Sequence, residues 1–588
     1  MKRRNLALLL SVLTLGLATA SPSWAICKMG MVGELHLIMQ GHRALAPVKV
    51  NGADARILID SGAFWNSMSA GYAAKFNLSI NSEPDAVLSG VGGQTAQISI
   101  GTAQDFSIAG ASYHGVTFVV TNRGLDSGSI GLLGENFLGN ADVEYDLGNG
   151  IIRFFKPDGC GRTDLSYWVG SGQSYSIIDL DDFRPGDAHI GSIAFVNGQR
   201  IRVLFDTGAA SSVLSLKAAW KAGVQPTDPN VVPAGTLTGV SRQNVIQAWL
   251  APFASFKVGD EEIKNVKLVI GNIGLEQDML LGADFFLSHR VLVSNSQHKI
   301  YFTYNGGPVF DQTPSPQKQT QQIQASGLAP PPETMDADAY GRHAAALRSR
   351  RDFDGALADL NQAIQLAPND PRFIYERAMI YRAKDQGALA MGDLNRSLTL
   401  RPDYIPALLA RAAYEDRGEP ARAHADRDAA DKAAQSHPDE RMVIAESYLR
   451  AGLEPEGIAE LGQWIDTHPK DDNLPEALNT RCRLRGLRNE ALDKALDDCN
   501  AALRLVPESP NILESRGLVY LRLGELDKAI SDDNASLHAR VKTAWPLYGR
   551  GLAELKKGMT AQGEADIAAA KAISATIADE AAKRGLTP

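Results

Sequence analysis

One phrase occurs twice in this chain. Residues 57–69 read ILIDSGAFWNSMS and residues 203–215 read VLFDTGAASSVLS, which puts Asp60 and Asp206 at matching places, 146 positions apart. Val50-Asn51-Gly52 precedes Asp60 by the same interval that separates Val196-Asn197-Gly198 from Asp206, and Arg56 matches Arg202. Downstream, LSGVGGQTAQI (88–98) parallels LTGVSRQNVIQ (237–247). GLLGENFL (131–138) then parallels MLLGADFF (279–286), with Gly134 and Gly282 148 apart. Each half closes on a hairpin-like pattern, EYDLGNGIIRFF or LVSNSQHKIYFTY. The residues between these landmarks are β-branched, apolar and Gly-punctuated, with little helical periodicity. A duplication with one order of motifs constrains the fold to two copies of one all-β lobe, 26–160 and 161–305, joined by a polar, Gly-rich connection near 156–190.

An acid at the end of so apolar a strand is costly unless something specific holds it. Two lobes facing each other about a pseudo-twofold axis bring Asp60 and Asp206 together at the interface. Two carboxylates a few ångströms apart cannot both ionise easily, so they share a proton. One then serves as general base on a water and the other as general acid, and the titration belongs to the pair. Ser61 and Thr207 offer hydroxyls to brace the two loops, and Gly62 and Gly208 permit tight turns whose N–H groups approach the carboxylates. Gly90, Gly92 and Gly93 in the first copy and Gly239 in the second mark expected flap tips that close over a substrate. Gly134 and Gly282 are expected to allow close packing beneath the loops.

Hydrophobic–Asp–Ser/Thr–Gly–Ala, a Gly-bearing flap and a later Leu-Leu-Gly together resemble the aspartic peptidases. The short lobes are most similar to the retropepsin-like branch in its exported bacterial form. The resemblance covers 26–305 and implies that Asp60 and Asp206 are the catalytic pair, hydrolysing peptide bonds with an activated water and no cofactor or metal. The copies differ: Phe64 and Trp65 stand where the second copy has Ala210 and Ser211, and Gly92-Gly93 stands opposite Ser241-Arg242. The aromatics either shape a substrate pocket or pack the core. The cleft is either built within one chain or by pairing with another molecule. The alternative to a peptidase is a catalytically inactive scaffold of the cell envelope that binds peptide or protein.

Residues 306–335 are rich in Pro, Gln, Ser and Thr and read as a flexible linker. Beyond them the period changes to 34. FDGALADLNQAIQLAP ends at Pro368 and QGALAMGDLNRSLTLRP at Pro402; Gly517 and Gly551 repeat the same step, as do Gly524 and Gly558. Small residues recur where helices cross: Ala344, Ala356 and Ala363, then Ala378, Ala390 and Ser397. This pattern over 336–588 resembles the tetratricopeptide repeat, with about seven units. The resemblance implies an all-α solenoid holding a protein substrate or partner, or else a spacer or dimerisation arm. By the 34-residue step Arg483 falls at one crossing position.

The remaining signals concern location. Lys2, Arg3 and Arg4, the run LALLLSVLTLGLATA and Ser23-Trp24-Ala25 read as a secretory signal peptide over 1–25, with an uncleaved anchor as the alternative. Ile26 before Cys27 is a poor fit to lipoprotein acylation. No later stretch is long enough to span a membrane, so a periplasmic or secreted chain is expected. Its formal charge of −9 becomes −12 once the three leader cations are removed, which argues against nucleic acid as partner. In an oxidising compartment the four cysteines suggest two bridges, Cys27 with Cys160 and Cys482 with Cys499, free buried thiols being the alternative. None has metal-site spacing, the 11 histidines are scattered, and no HExxH, phosphate loop or GxGxxG motif occurs. The oligomeric state is not legible.

Overall fold

The computed structural model describes residues 27–588 apart from 92, 122–127, 162, 171, 182–188, 238–245, 311–334, 472 and 540–542, and apart from the side chains of 82–89 and 93–97. The signal segment 1–25, Gly92, Gly239 and most of the 306–335 segment therefore lie outside the described residues.

Each Asn-Gly pair makes a two-residue hairpin. Asn51 and Gly52 sit at φ 47° and 85°, and Asn197 and Gly198 at φ 49° and 75°, the left-handed values that such a turn requires. The Asn side chains also tie the hairpins to their lobes: Asn51 donates to Phe76 O (2.7 Å) and Asn197 to Ala222 O (2.9 Å). From these turns grow two sheets of one design. In the first lobe the order is Ile38–Gln40, Arg43–Val50, Ala53–Ile59, Gly131–Leu133, Ser67–Ser69, Ala111–Thr121, Gly93–Ile108 and Ser79–Gly90. Arg43–Val50 also pairs with Gly93–Ile108 and closes the sheet on itself. The second lobe repeats the order from Gly191–Val196 to Val232–Leu237, closed by Gly191–Val196 on Ile246–Val258.

The terminal hairpins merge. Lys28–His36, Ile151–Asp158, Asp142–Asp146, His289–Ser294, Lys299–Tyr304 and Ser176–Asp179 form one six-stranded sheet under both lobes. Val143 pairs with Val293 and Tyr145 with Val291 across the junction, so the pseudo-twofold passes through Glu144 and Leu292. Glu144 is buried there between Arg153 (2.6 Å) and Arg290 (2.9 Å). Cys27 and Cys160 are bridged and pin the outer strand of this sheet. Residues 306–310 do not behave as linker: Phe310 is buried and packs edge-on to Phe256, because an aromatic beside the lobe's end gains more from burial than from solvent.

The C-terminal region consists, among the described residues, of seven helical pairs followed by Ile577–Lys583. The crossing residues named above are all buried, Ala356, Ala363, Ala378, Ala390 and Ser397 completely. The expectation for Arg483 fails. Cys482, fully buried, takes the crossing position, because this repeat carries an extra residue. That residue shows in a ladder of ion pairs. Arg377, Arg411, Arg481, Arg516 and Arg550 each grip an Asp of the next helix (393, 426, 498, 532, 566) through two nitrogens. Arg481 and Arg516 are 35 apart, whereas Arg516 and Arg550 keep 34. Cys482 and Cys499 are bridged across the two helices of that pair. Replacing both by Ala should lower the solenoid's unfolding free energy by about 3 kcal/mol, read from its urea-induced helical transition, while the β lobes keep theirs.

First helices of consecutive pairs pack on one another, Leu474–Arg488 on Pro510–Leu523 and that on Ala544–Lys556, so they line the inner side of the curve. The first helix of all, Ala337–Ser349, lies against the lobes. It packs on Ile38–Gln40 and on the turn Leu147–Asn149, and its Ala346 is part of the lobes' own core. His343 meets Asn149 at 3.2 Å and also Asp359 of the next helix. No helix among the described residues is long and apolar enough to cross a membrane.

Candidate active site

Asp60 ends the strand Ala53–Ile59 and Asp206 the strand Gln199–Phe205. Each strand runs parallel to its Leu-Leu strand, and each Asp backbone N–H continues that ladder, to Leu133 O (3.0 Å) and Leu281 O (2.9 Å). The chain then turns sharply. Gly62 and Ala63 N–H both donate to Asp60 Oδ1 at 3.0 Å; Gly208 and Ala209 N–H donate to Asp206 Oδ1 at 2.9 and 3.0 Å. These bonds fix each carboxyl plane and leave its other oxygen for the opposite lobe.

The hydroxyls brace the loops reciprocally, as the sequence suggested. Thr207 N–H donates to Ser61 Oγ and Ser61 N–H to Thr207 Oγ1, both at 3.0 Å. Ser61 Oγ donates in turn to Phe205 O and Thr207 Oγ1 to Ile59 O, both at 2.9 Å. All four bonds cross between lobes and are buried. Each glycine lies beneath the other lobe's acid: a Cβ on Gly62 would fall 2.3 Å from Asp206 Cγ, and one on Gly208 would fall 2.3 Å from Asp60 Cγ. Gly134 and Gly282 are as confined, a Cβ meeting Ala63 O at 2.7 Å and Ser211 C at 2.6 Å. Gly90 and Gly93 face each other at the tip of the hairpin that would form the first flap.

Asp60 and Asp206 are hydrogen-bonded to each other. Burial, reinforced by the charge of Asp206 and that hydrogen bond, pushes the Asp60 carboxyl well above the usual range. Burial also raises Asp206, against the opposing effects of the bond from Asp60, the Ala209 and Gly208 N–H groups and the charge of His189. One proton is thus held between two acids. The arrangement can ionise one oxygen toward a water while presenting an O–H to a carbonyl.

Both lobes carry aspartyl protease domains. Residues 46–140 match the family model described as gag-polyprotein putative aspartyl protease, and residues 193–285 match the one described as aspartyl protease. Among solved structures, a tetratricopeptide repeat protein from Parabacteroides merdae aligns at 16% identity and a TM-score of 0.31, over 42% of this chain and 98% of its own. The APC/C hetero-tetramer Cut9-Hcn1 aligns at 17% and 0.29, over 46% of this chain and 52% of its own. No curated protein matches the chain.

The aspartyl protease lobes use residues that the sequence reading passed over. Asn66 N–H donates to Asn136 Oδ1 (2.8 Å) and Asn66 Oδ1 accepts from Gly134 N–H (2.9 Å). In the second lobe Ser212 and Asp284 do the same work, Ser212 Oγ donating to Asp284 (2.6 Å) and accepting from Gly282 N–H (2.9 Å). The offsets of 146 and 148 that relate the dyad and the glycines also relate these pairs, so the signal was present under changed side chains. His42 Nδ1 bonds Ala210 O of the other lobe at 2.8 Å, and nothing in the duplication announces it. Trp65, 48% exposed and edge-on to Phe64, is not core.

Glu135, next to Gly134, is buried with its carboxylate near Tyr145 Oη (3.5 Å). Burial pushes it up to about 8, opposed by the Tyr145 hydrogen bond. A folded-state value above the unfolded one makes stability fall as pH rises from the ordinary glutamate range to about 8. Glu135→Gln should remove that slope, about 1.4 kcal/mol per pH unit within the window, and raise the melting temperature at pH 8 more than at pH 5.

Proposed function

We propose that this chain is an exported aspartic endopeptidase, with Asp60 and Asp206 as its dyad and the helical solenoid as an arm that recruits a protein substrate or partner. The observation that carries the reading is the pair itself: two buried, mutually hydrogen-bonded carboxyls, each fixed by two backbone N–H groups and seated on the other lobe's glycine. In the reaction, the ionised oxygen takes a proton from water as the water attacks the scissile carbonyl carbon, and the protonated acid donates to the carbonyl oxygen. Collapse of the tetrahedral intermediate breaks the C–N bond as the leaving nitrogen takes up a proton. Export is supported by the leader and by two bridges that suit an oxidising compartment.

The test is cleavage of a mixed peptide library by the mature chain from pH 3 to pH 8. The expected result is a bell-shaped profile whose limbs are the two proton losses of the pair. No cleavage at any pH overturns the peptidase reading and leaves a binding scaffold. For export, the expected mature N-terminus, read by mass spectrometry, is Ile26.

A further inference from the structure

In each second helix of the solenoid the residue after the ladder acid, or after Asp359 and Glu460 at the equivalent places, lies in the helix-packing core. These residues are Leu360, Leu394, Arg427, Leu461, Cys499 and Ile567, all buried. Arg427 satisfies its charge with Asp416 (2.7 Å) and Ser447 (3.0 Å). At the same place, after Asp532, stands Asp533, which is 2% exposed, and its Oδ2 has no hydrogen-bond partner. Leaving a buried carboxyl oxygen unpaired is costly, so a leucine here would serve the fold better.

Asp533 borders a small opening on the inner side of the solenoid, between Pro510–Leu523 and Ala544–Lys556. Gly549 also lines it, and a Cβ there would come to 3.0 Å from Asp533 Oδ2, so a larger residue would crowd that oxygen. Leu518, Leu552 and Tyr548 wall the opening, and Trp545 lies at its rim with the Arg483 guanidinium 5.8 Å over its ring. Arg483 is itself paired with Glu514 at 2.8 Å. That pair is self-contained, so among the described residues Asp533 is the one acid of the lining with no ion pair.

We propose that this opening is an amine-binding pocket that takes the side-chain ammonium of a lysine from a protein segment laid along the inner face of the solenoid. Its volume of about 20 Å3 admits one group the size of water or ammonium and no planar guanidinium. One free carboxyl oxygen suits a single N–H donor and is too few for a metal, and the leucine and tryptophan walls suit a lysine's alkyl stem. The inference deepens the reading of the arm as a protein-binding element and is independent of whether the dyad cuts.

The charged groups around Asp533 are Glu514 from Pro510–Leu523, Asp532 from its own helix, Arg550 from Ala544–Lys556, Asp566 from Thr560–Ile573, and Arg483 from Leu474–Arg488. Burial first, then Glu514 and Asp532, hold the Asp533 carboxyl well above the ordinary range. Capture of a cation should therefore expel the carboxyl proton, and affinity should rise with pH.

The test is calorimetric titration of the full mature chain with n-butylammonium, with n-butanol as the neutral control, in two buffers of different ionisation enthalpy. Saturable binding of the amine with proton release is expected, at least tenfold tighter than n-butanol, weakened at least tenfold in Asp533→Asn and lost in Asp533→Leu. Asp533→Leu restores the residue type of the other repeats and should melt higher than the wild type, so loss of binding there is not loss of fold. An amine that binds no better than the alcohol overturns the proposal, as does undiminished binding in either variant. Because no peptide is cleaved in this assay, its failure leaves the library result untouched, and the converse holds.

Discussion

Asp60→Asn and Asp206→Asn should each reduce peptide cleavage by about a thousandfold or more, with circular dichroism unchanged. An amide can neither be ionised toward the water nor deliver an acid proton, so each variant loses one of the two roles while keeping its shape. The N–H bonds from Gly62, Ala63, Gly208 and Ala209 all end on Oδ1, and an Asn side chain can keep an oxygen there. A second readout separates this from damage. Because burial raises the Asp60 carboxyl, the wild type loses stability as pH rises above the ordinary aspartate range. Asp60→Asn should thus melt higher than the wild type near neutral pH while being inactive. A variant that keeps cleaving would identify a contaminating peptidase or another chemistry.

Gly62→Ala and Gly208→Ala should come next in size, each costing activity about a hundredfold or more. The added Cβ lands 2.3 Å from the carboxyl carbon of the opposite Asp, and no rotamer relieves a clash made by the first side-chain atom. The two loops must part, and the reciprocal Ser61–Thr207 bonds must lengthen with them. A displacement of about 1 Å in a catalytic pair is enough for losses of this order. Gly392→Ala is the control. It sits in the helix Gly387–Leu400 with nothing near its would-be Cβ, so it should leave cleavage unchanged and stabilise the solenoid by up to about 1 kcal/mol.

The duplicated phrase made the dyad, the hydroxyl brace and the packing glycines legible, because each is a local pattern copied at a fixed offset. The Asn-Gly turns were legible for the same reason. The small-residue period likewise carried the helical pairs. What escaped was long-range. The hairpins 142–158 and 289–304 read as two separate strand pairs, and nothing in either says that Val143 will meet Val293. The supports Asn66/Asn136 and Ser212/Asp284 keep position but change chemistry, so a search for identical residues misses them. The extra residue before Arg516 shifts the solenoid's register by one, which moved the crossing position from Arg483 to Cys482. Asp533 was invisible for the opposite reason: an acid on a helix reads as solvent-facing until the neighbouring helices are in place.

The seating of Ala337–Ser349 against Ile38–Gln40 and Leu147–Asn149 changes what the Pro- and Gln-rich segment before it can mean. A tether would let the solenoid wander, and any captured chain would meet the cleft from every direction, its advantage set by local concentration alone. A mount sharing Ala346 with the core of the β lobes gives the solenoid one bearing. A chain gripped along it would then span a set distance to the dyad, and the arm would work as a ruler. Products cut from a held chain should share one spacing from the point of grip, whereas short peptides that never touch the arm should be cut according to the cleft's preferences alone.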